Sequence, residues 1–283
     1  MEALAVEISE LTGRDVEHVA PLTGGCVGEV YRVWLDGGDS LVVKTGRPGD
    51  PLDVEGWMLG YLGDHGGLPI PGVLLARDSL LVMTYIDGED ALSVASEFHA
   101  AELVAALHGV TAPEFGLDRD TVIGGIAQPN GFSASWVEFF RDRRLLYMAE
   151  QAEQAGRLSG DIRARIDNLA ARIGEFIDEP LAPSLIHGDM WGGNVLVHGD
   201  RIAGFVDPAI YYGDAEIELA FSTMFATFGE GFFRRYDELR PLRPGFFEVR
   251  RDIYNLWPLL VHARLFGGGY AQSVENTLSR FGF

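Results

Sequence analysis

The chain of 283 residues is strongly acidic, because 42 Asp and Glu residues against 22 Lys and Arg residues give it a net charge of −20. This charge argues against binding to nucleic acid or to an anionic membrane, since both depend on clustered Lys and Arg. No apolar stretch reaches the roughly 18 residues of a membrane span, the first residues lack the pattern of a secretion signal, and the single cysteine, Cys26, excludes an internal disulfide. We therefore expect a soluble, cytoplasmic protein without nucleic-acid or membrane partners.

Residues 1–84 have the pattern of a small antiparallel sheet crossed by one helix. Short apolar runs alternate with Gly, Asp and Pro turns, which is typical of strands. The stretch 51–64 interrupts them with apolar residues at helical spacing, and Pro51 suits a first helical turn. The predicted strands are 16–22, 29–35, 40–45, 72–76 and 80–85.

From residue 91 onwards the pattern is mainly helical, with one β-rich hairpin at 185–207. We expect an α+β protein with two lobes and a cleft between them. The N-terminal lobe is 1–84, the hinge is 85–90, and the larger helical lobe is 91–283. The predicted helices are 91–108, 133–155, 159–177, 214–228, 230–238 and 246–281.

The strongest chemical signal is a loop that begins at His187. It reads H-x-D-x-x-x-x-N, with Asp189 and Asn194 five residues apart, and Asp207 follows at the end of the next predicted hairpin. Kinases use this arrangement for phosphoryl transfer. Asp189 would take the proton of an acceptor hydroxyl, while Asn194 and Asp207 would hold Mg²⁺ through hard oxygen ligands. The alternative is a hairpin in which these residues only form turns.

Lys44 is the only lysine of the chain and ends the predicted strand 40–45. Every other cation is an arginine, so a lysine kept here indicates a site that a guanidinium does not fit. Kinases place a strand lysine on the ATP phosphates and pair it with a helix glutamate. Glu55, on the predicted helix 51–64, is the candidate partner, although Asp53 shares that helix.

A glycine-containing loop and a predicted hinge complete an ATP site. The loop before Lys44 partly matches G-x-G-x-x-G-x-V, with Thr23 in place of the first glycine. Its backbone N–H groups would cover the phosphates, and the end of the last strand would bind adenine. We therefore predict a protein-kinase-like fold that uses ATP and Mg²⁺. The nucleotide-binding residues are Gly24, Gly25, Cys26, Val27, Gly28, Val30, Lys44 and Glu55 at the phosphates, and Met83, Thr84 and Tyr85 at the hinge.

The segment after Asp207 differs from that of protein kinases. Pro208 and Ala209 follow it in place of Phe-Gly, and the next predicted helix begins near Asp214. This leaves no room for a regulated activation loop. We therefore expect a constitutively assembled enzyme that phosphorylates a small hydroxyl compound.

Over nearly its whole length the chain resembles the fructosamine/ketosamine-3-kinase family, a branch of the aminoglycoside phosphotransferase and choline-kinase-like group. The resemblance implies ATP-dependent phosphorylation of the 3-hydroxyl of a ketosamine, a sugar joined to an amine by glycation, on a free amine or on protein. The product then eliminates and frees the amine, which is deglycation. The segments that carry the resemblance are 22–26, 43–44, 123–131, 136–145, 187–194, 207–216 and 262–267.

The resemblance also implies residue roles. Asp189 matches the family's catalytic aspartate, Asn194 and Asp207 its metal ligands, and Trp191 a tryptophan at the sugar. The family usually has Ser where Gly192 stands, so a polar contact to the sugar is missing here. Cys26 matches a cysteine that forms an intermolecular disulfide in some relatives. We expect a monomer and leave open a dimer linked through Cys26.

An acidic cleft would attract the amine of a ketosamine. For Asp214 a helix N-cap role competes with this interpretation, and for His262 a core position competes with substrate contact. An aminoglycoside, choline or similar amino-alcohol remains an alternative acceptor, and a catalytically silent nucleotide-binding module a second alternative. The candidate acids are Asp87, Glu89, Asp90, Asp214 and Glu216.

Overall fold

The computed structural model describes residues 1–22, 28–89 and 91–283. Its N-terminal part is a five-stranded antiparallel sheet in the order β1-β2-β3-β5-β4. The predicted bounds of β2 and β3 coincide with the observed ones. The elements of this part are α1 (Glu2–Thr12), β1 (Val16–Pro21), β2 (Glu29–Leu35), β3 (Ser40–Thr45), α2 (Leu52–His65), β4 (Val73–Arg77) and β5 (Leu80–Thr84).

The expectation of one helix in this part is wrong, because α1 is a second one. Ile8 of α1 is fully buried and packs with Leu41 and Val43 of β3 on one face of the sheet. Helix α2 covers the opposite face, where its Leu59 packs with strand residues such as Met83. Side chains alternate along each strand, so the sheet buries both of its faces.

The remainder is mainly helical and contains three small two-stranded sheets. Of these sheets the sequence predicted only one, the hairpin formed by Val195–His198 and Arg201–Phe205. The predicted helix 246–281 is divided, because Gly267 and Gly268 have φ values of +66° and +64° and end it. The elements are α3 (Val94–Leu107), β6 (Thr121–Ile123), β7 (Ile126–Gln128), α4 (Trp136–Phe139), α5 (Tyr147–Gln154), α6 (Gly160–Ala170), β8 (Ser184–Ile186), β9 (Val195–His198), β10 (Arg201–Phe205), β11 (Tyr211–Gly213), α7 (Ala215–Met224), α8 (Glu230–Leu239), α9 (Arg251–Phe266) and α10 (Gly269–Arg280).

The main hydrophobic core lies among the helices of this larger part and continues to α2 through Met58 and Leu62. The two parts are therefore packed together, with a cleft at their junction. The division into 1–84, 85–90 and 91–283 stays a prediction. Within the described residues no helix is both long and apolar enough to cross a bilayer.

Candidate active site

A cleft of about 1170 Å³ lies where the sheet meets the helical part. Residues from both parts line it, and they include most of the described residues that the sequence singles out. The structure therefore brings together positions more than 150 residues apart in the chain. The predicted residues in the lining are Val30, Lys44, Glu55, Met83, Thr84, Tyr85, Glu89, Asp189, Trp191, Asn194, Asp207 and His262.

Strand geometry directs Lys44 into this cleft. Because side chains alternate along β3, Lys44 shares the face of Val42, which packs towards α2. Its Nζ lies 2.7 Å from Oε1 of Glu55 and 2.5 Å from Oδ1 of Asp207. Burial would lower the pKa of Lys44, but the charges of Asp207 and Glu55 outweigh it and raise that pKa. Lys44 is therefore a buried ammonium shared by two carboxylates.

The loop after β8 is held in shape by a glycine. Gly188 has φ +85°, and a Cβ at this position would lie 2.1 Å from the carbonyl oxygen of Ala209. Only glycine fits such an approach in this backbone region. The loop then presents Asp189, whose pKa is raised to about 8 by burial and by the nearby charge of Asp207.

Asn194 is oriented by Asp189. Its Nδ2 donates to the backbone oxygen of Asp189 at 2.9 Å and to the carboxylate Oδ2 at 3.0 Å. The amide oxygen of Asn194 has no hydrogen-bond partner among the described residues. It remains free to act as a ligand beside Asp207.

Asp207 has a positive φ of +54°, which is uncommon for a residue with a side chain. One carboxylate oxygen binds Lys44, and the second has no partner in the described part of the chain. An amide oxygen from Asn194 and a carboxylate oxygen from Asp207 form the kind of hard donor set that Mg²⁺ prefers. The residues present therefore fit a magnesium ion.

The far end of the cleft is aromatic. Trp191 is 41% exposed, and its ring lies 6.2 Å from that of Phe225. His262 lies at the cleft and is half-buried, so its position differs from that of a core histidine. Phe266 and Tyr270 continue this surface, and neither they nor Phe225 were predicted as site residues from the sequence.

The structure contradicts the expectation that Asp214 and Glu216 face the cleft. Asp214 caps α7 by accepting a hydrogen bond from the N–H of Glu216, and both side chains are almost fully buried. Glu216 accepts hydrogen bonds from Arg243 and Arg250, and Arg243 also pairs with Asp214. Asp214 thus caps the start of α7, and the two arginines supply the charged partners that these buried carboxylates need.

The remaining predicted residues are placed as follows. The side chain of Asp87 is 80% exposed and lies outside the cleft, near His198, so the structure contradicts its expected place at the substrate. Gly28 has φ +72° and lies so close to Thr45 that a Cβ would meet the Thr45 carbonyl at 2.1 Å. Five positions, Gly24, Gly25, Cys26, Val27 and Asp90, lie outside the described residues, so the proposed phosphate loop and Cys26 disulfide stay predictions.

A buried network beneath the loop was not predicted from the sequence. Glu218 of α7 accepts a hydrogen bond from the N–H of Gly188 at 2.7 Å. Its other oxygen lies 2.9 Å from Nε2 of His108, and His108 Nδ1 lies 2.7 Å from the hydroxyl of Tyr236. The sequence signal that could have indicated this network is the carboxylate of Glu218 within a largely apolar helix, because a buried carboxylate needs hydrogen-bond partners.

The family model, a sequence relative and a solved structure all indicate similarity to fructosamine and ribulosamine kinases. The model of the fructosamine kinase family matches residues 1–281. The protein-ribulosamine 3-kinase of Arabidopsis thaliana is 31% identical over 97% of this chain and 85% of its own length. The crystal structure of a candidate fructosamine-3-kinase from Thermobifida fusca superposes with a TM-score of 0.89 at 30% identity, covering 99% of this chain and 98% of that one.

A more distant structure shares the fold alone. An aminoglycoside phosphotransferase mutant, in a ternary complex with AMP-PNP and hygromycin B, superposes with a TM-score of 0.67 at 19% identity, covering 98% of this chain and 96% of that one. The predicted two-lobed, kinase-like fold is thereby confirmed. The family model spans nearly the whole chain, and the protein therefore belongs to the fructosamine kinase family.

Proposed function

We propose that this protein transfers the γ-phosphoryl group of ATP to the 3-hydroxyl of a ketosamine. The observation that carries the proposal is the convergence of Lys44, Asp189, Asn194 and Asp207 in one cleft. Membership of the fructosamine kinase family and the similarity to a ribulosamine 3-kinase support the choice of acceptor. Deglycation of an amine would follow from this reaction.

ATP would lie between the hinge and Lys44. The adenine would lie against Met83, Thr84 and Tyr85, which line the cleft at the end of β5. Lys44 would contact the phosphates while Glu55 holds its side chain in place. The backbone N–H groups of the loop at 23–27, which lies outside the described residues, would also bind the phosphates.

Mg²⁺ would be held by the amide oxygen of Asn194 and the carboxylate of Asp207. When bound, it neutralises negative charge on the phosphates. The Lys44 ammonium beside Asp207 would orient this carboxylate, and Asp189 would orient Asn194.

Asp189 would accept the proton of the ketosamine hydroxyl. Its raised pKa brings the carboxylate closer to the range in which a general base works well. The segment after Asp207 is already bound to the loop, because Ala209 donates to the carbonyl of His187 at 2.7 Å and β11 pairs with β8. The site is thus assembled without an activation loop, and it stays open to a small acceptor.

The experiment is an acceptor panel with Mg·ATP and detection of the phosphorylated product by mass spectrometry. Ribulosamines and fructosamines, free or on a glycated peptide, are compared with kanamycin and choline. We expect turnover of ketosamines and its loss in Asp189→Asn, with ATP binding retained. Asp200→Asn, an exposed carboxylate in the β9–β10 turn, is the matched control. Preference for kanamycin or choline, or unchanged turnover in Asp189→Asn, would overturn the proposal.

A further inference from the structure

One end of the cleft is formed by aromatic rings, which we call the aromatic wall. It begins at the loop that carries Asp189 and continues through the residue that follows α7 to α9 and α10. The ring of His262 lies 5.1 Å from Phe225, 5.6 Å from Phe266 and 5.0 Å from Tyr270. The members of the aromatic wall are Trp191, Phe225, His262, Phe266 and Tyr270.

The aromatic wall carries no carboxylate among its described members. The acids that line the described cleft are Glu55, Glu89, Asp189 and Asp207, and three of them belong to the cluster around Lys44. Asp214 and Glu216, expected to attract the amine, are instead paired with arginines inside the helical part. Among the described acids of the lining, only Glu89 at the predicted hinge is therefore left to attract the amine.

His262 supplies a hydrogen-bond acceptor within this wall. Its Nδ1 lies 2.7 Å from the carbonyl oxygen of Pro258, and a carbonyl can only accept. Nδ1 must therefore carry the proton, which leaves Nε2 as a bare acceptor in the neutral ring. Burial lowers the pKa of His262 and favours this neutral form. A ligand group that meets Nε2 is thus expected to be a donor.

We propose that the aromatic wall binds the protonated secondary amine of the ketosamine, through the faces of its rings and through an N–H bond to Nε2 of His262. The proposal rests on the proposed function. In a ketosamine the amine is three bonds from carbon 3, so it must lie close to the hydroxyl that meets Asp189. Trp191 follows Asp189 by two residues, and the ring of Phe225 lies 6.2 Å from that of Trp191.

Aromatic faces attract cations because their quadrupole is negative over the ring. A desolvated ammonium gains more from them than an exposed one. The wall would therefore select substituted amines over neutral groups of the same shape without the cost of burying an unpaired carboxylate. The specificity would reside in the charge of the amine rather than in the length of the chain that carries it.

The test compares two acceptors in wild type and in Phe225→Leu. One is a ketosamine, and the other is the thioether analogue, with sulfur in place of the amine nitrogen. We expect wild type to favour the amine in kcat/KM, and Phe225→Leu to reduce that amine-to-thioether ratio about tenfold. Leucine keeps an apolar side chain but removes the ring. The control is Phe247→Leu, which removes an equally exposed aromatic ring outside the cleft and should leave the ratio unchanged.

A second pair of variants distinguishes loss of the ring from a general effect of misfolding. Tyr270→Leu should lower the ratio, and Tyr270→Phe, which keeps the ring, should restore it. Equal losses for both acceptors, or a wild-type ratio near one, would overturn the role of the aromatic wall while the proposed function stands. Absence of turnover with both acceptors in wild type would overturn the proposed function itself.

Discussion

The single lysine allows a sharp test of the nucleotide site. In Lys44→Arg the charge is kept, but the guanidinium extends past the position of Nζ. That position is already in contact with Glu55 at 2.7 Å and with Asp207 at 2.5 Å. Lys44 is only 5% exposed, and the cleft beyond it is the space that the nucleotide phosphates would occupy, so the larger group would crowd either the carboxylates or the phosphates. We expect Arg to displace one or both carboxylates.

The size of the effect follows from what the ammonium does. Removal of one preorganised donor from a charged transition state costs about 10²–10³ in rate. We expect a loss of this order in Lys44→Met and a similar one in Lys44→Arg, within about tenfold of each other. Removing one partner of a buried ion pair lowers the free energy of unfolding by about 3–5 kcal/mol. Because the Asp207 side chain is 30% exposed, we expect a smaller loss of about 2–3 kcal/mol in Lys44→Met.

The assay is steady-state kinetics with varied Mg·ATP, together with thermal unfolding of each variant. Arg77→Lys is the matched control, since it makes a Lys/Arg exchange at an exposed pair with Glu7 and should leave both measurements unchanged. If Lys44→Arg retained activity within threefold of wild type, the guanidinium would fit beside the two carboxylates, and the prediction would be wrong. The solitary lysine would then reflect only the composition of the chain.

Three further predictions concern carboxylates. Glu55→Gln should lower kcat/KM for ATP at least tenfold, because Lys44 loses the carboxylate that holds it. Asp53→Asn, exposed on the same helix, should match wild type in the same kinetics, and equal effects of the two changes would contradict the pairing of Lys44 with Glu55. Glu216→Gln should destabilise by about 3–5 kcal/mol in denaturant unfolding without changing the acceptor KM, and a raised KM at unchanged stability would return it to the substrate site. Glu218→Gln should lower the free energy of unfolding by about 1–3 kcal/mol and should also lower kcat, because it weakens the hydrogen bond from the N–H of Gly188. A wild-type kcat in this variant would show that the loop does not depend on that hydrogen bond.

Local pattern predicted what depends on neighbours in the chain. The bounds of β2 and β3 and the position of Lys44 follow from alternation and turn residues, which act over a few positions. The divided helix at Gly267 was missed because helical periodicity continues across two glycines that end the backbone helix.

Side-chain contacts between residues far apart in the chain could not be predicted from local pattern. Glu216 was predicted to be an acid of the cleft, and its pairing with Arg250 was missed because that partner lies 34 residues away. Glu218 likewise meets the N–H of Gly188 from 30 residues away. Such contacts depend on how α7 packs against the loop, and a single sequence carries no direct record of that packing.

The charges of the cleft explain how an acidic protein can use a polyanionic nucleotide. Its described lining has one full cation, Lys44, against four carboxylates. Lys44 is already shared between two of them, so it cannot by itself offset the triphosphate. We infer that the magnesium ion brings the missing positive charge, and that Asp207 serves both cations by giving one oxygen to Lys44 and leaving the other for the metal. A compact ammonium suits this arrangement, because a planar fork at the same position would compete for the oxygen that the metal needs.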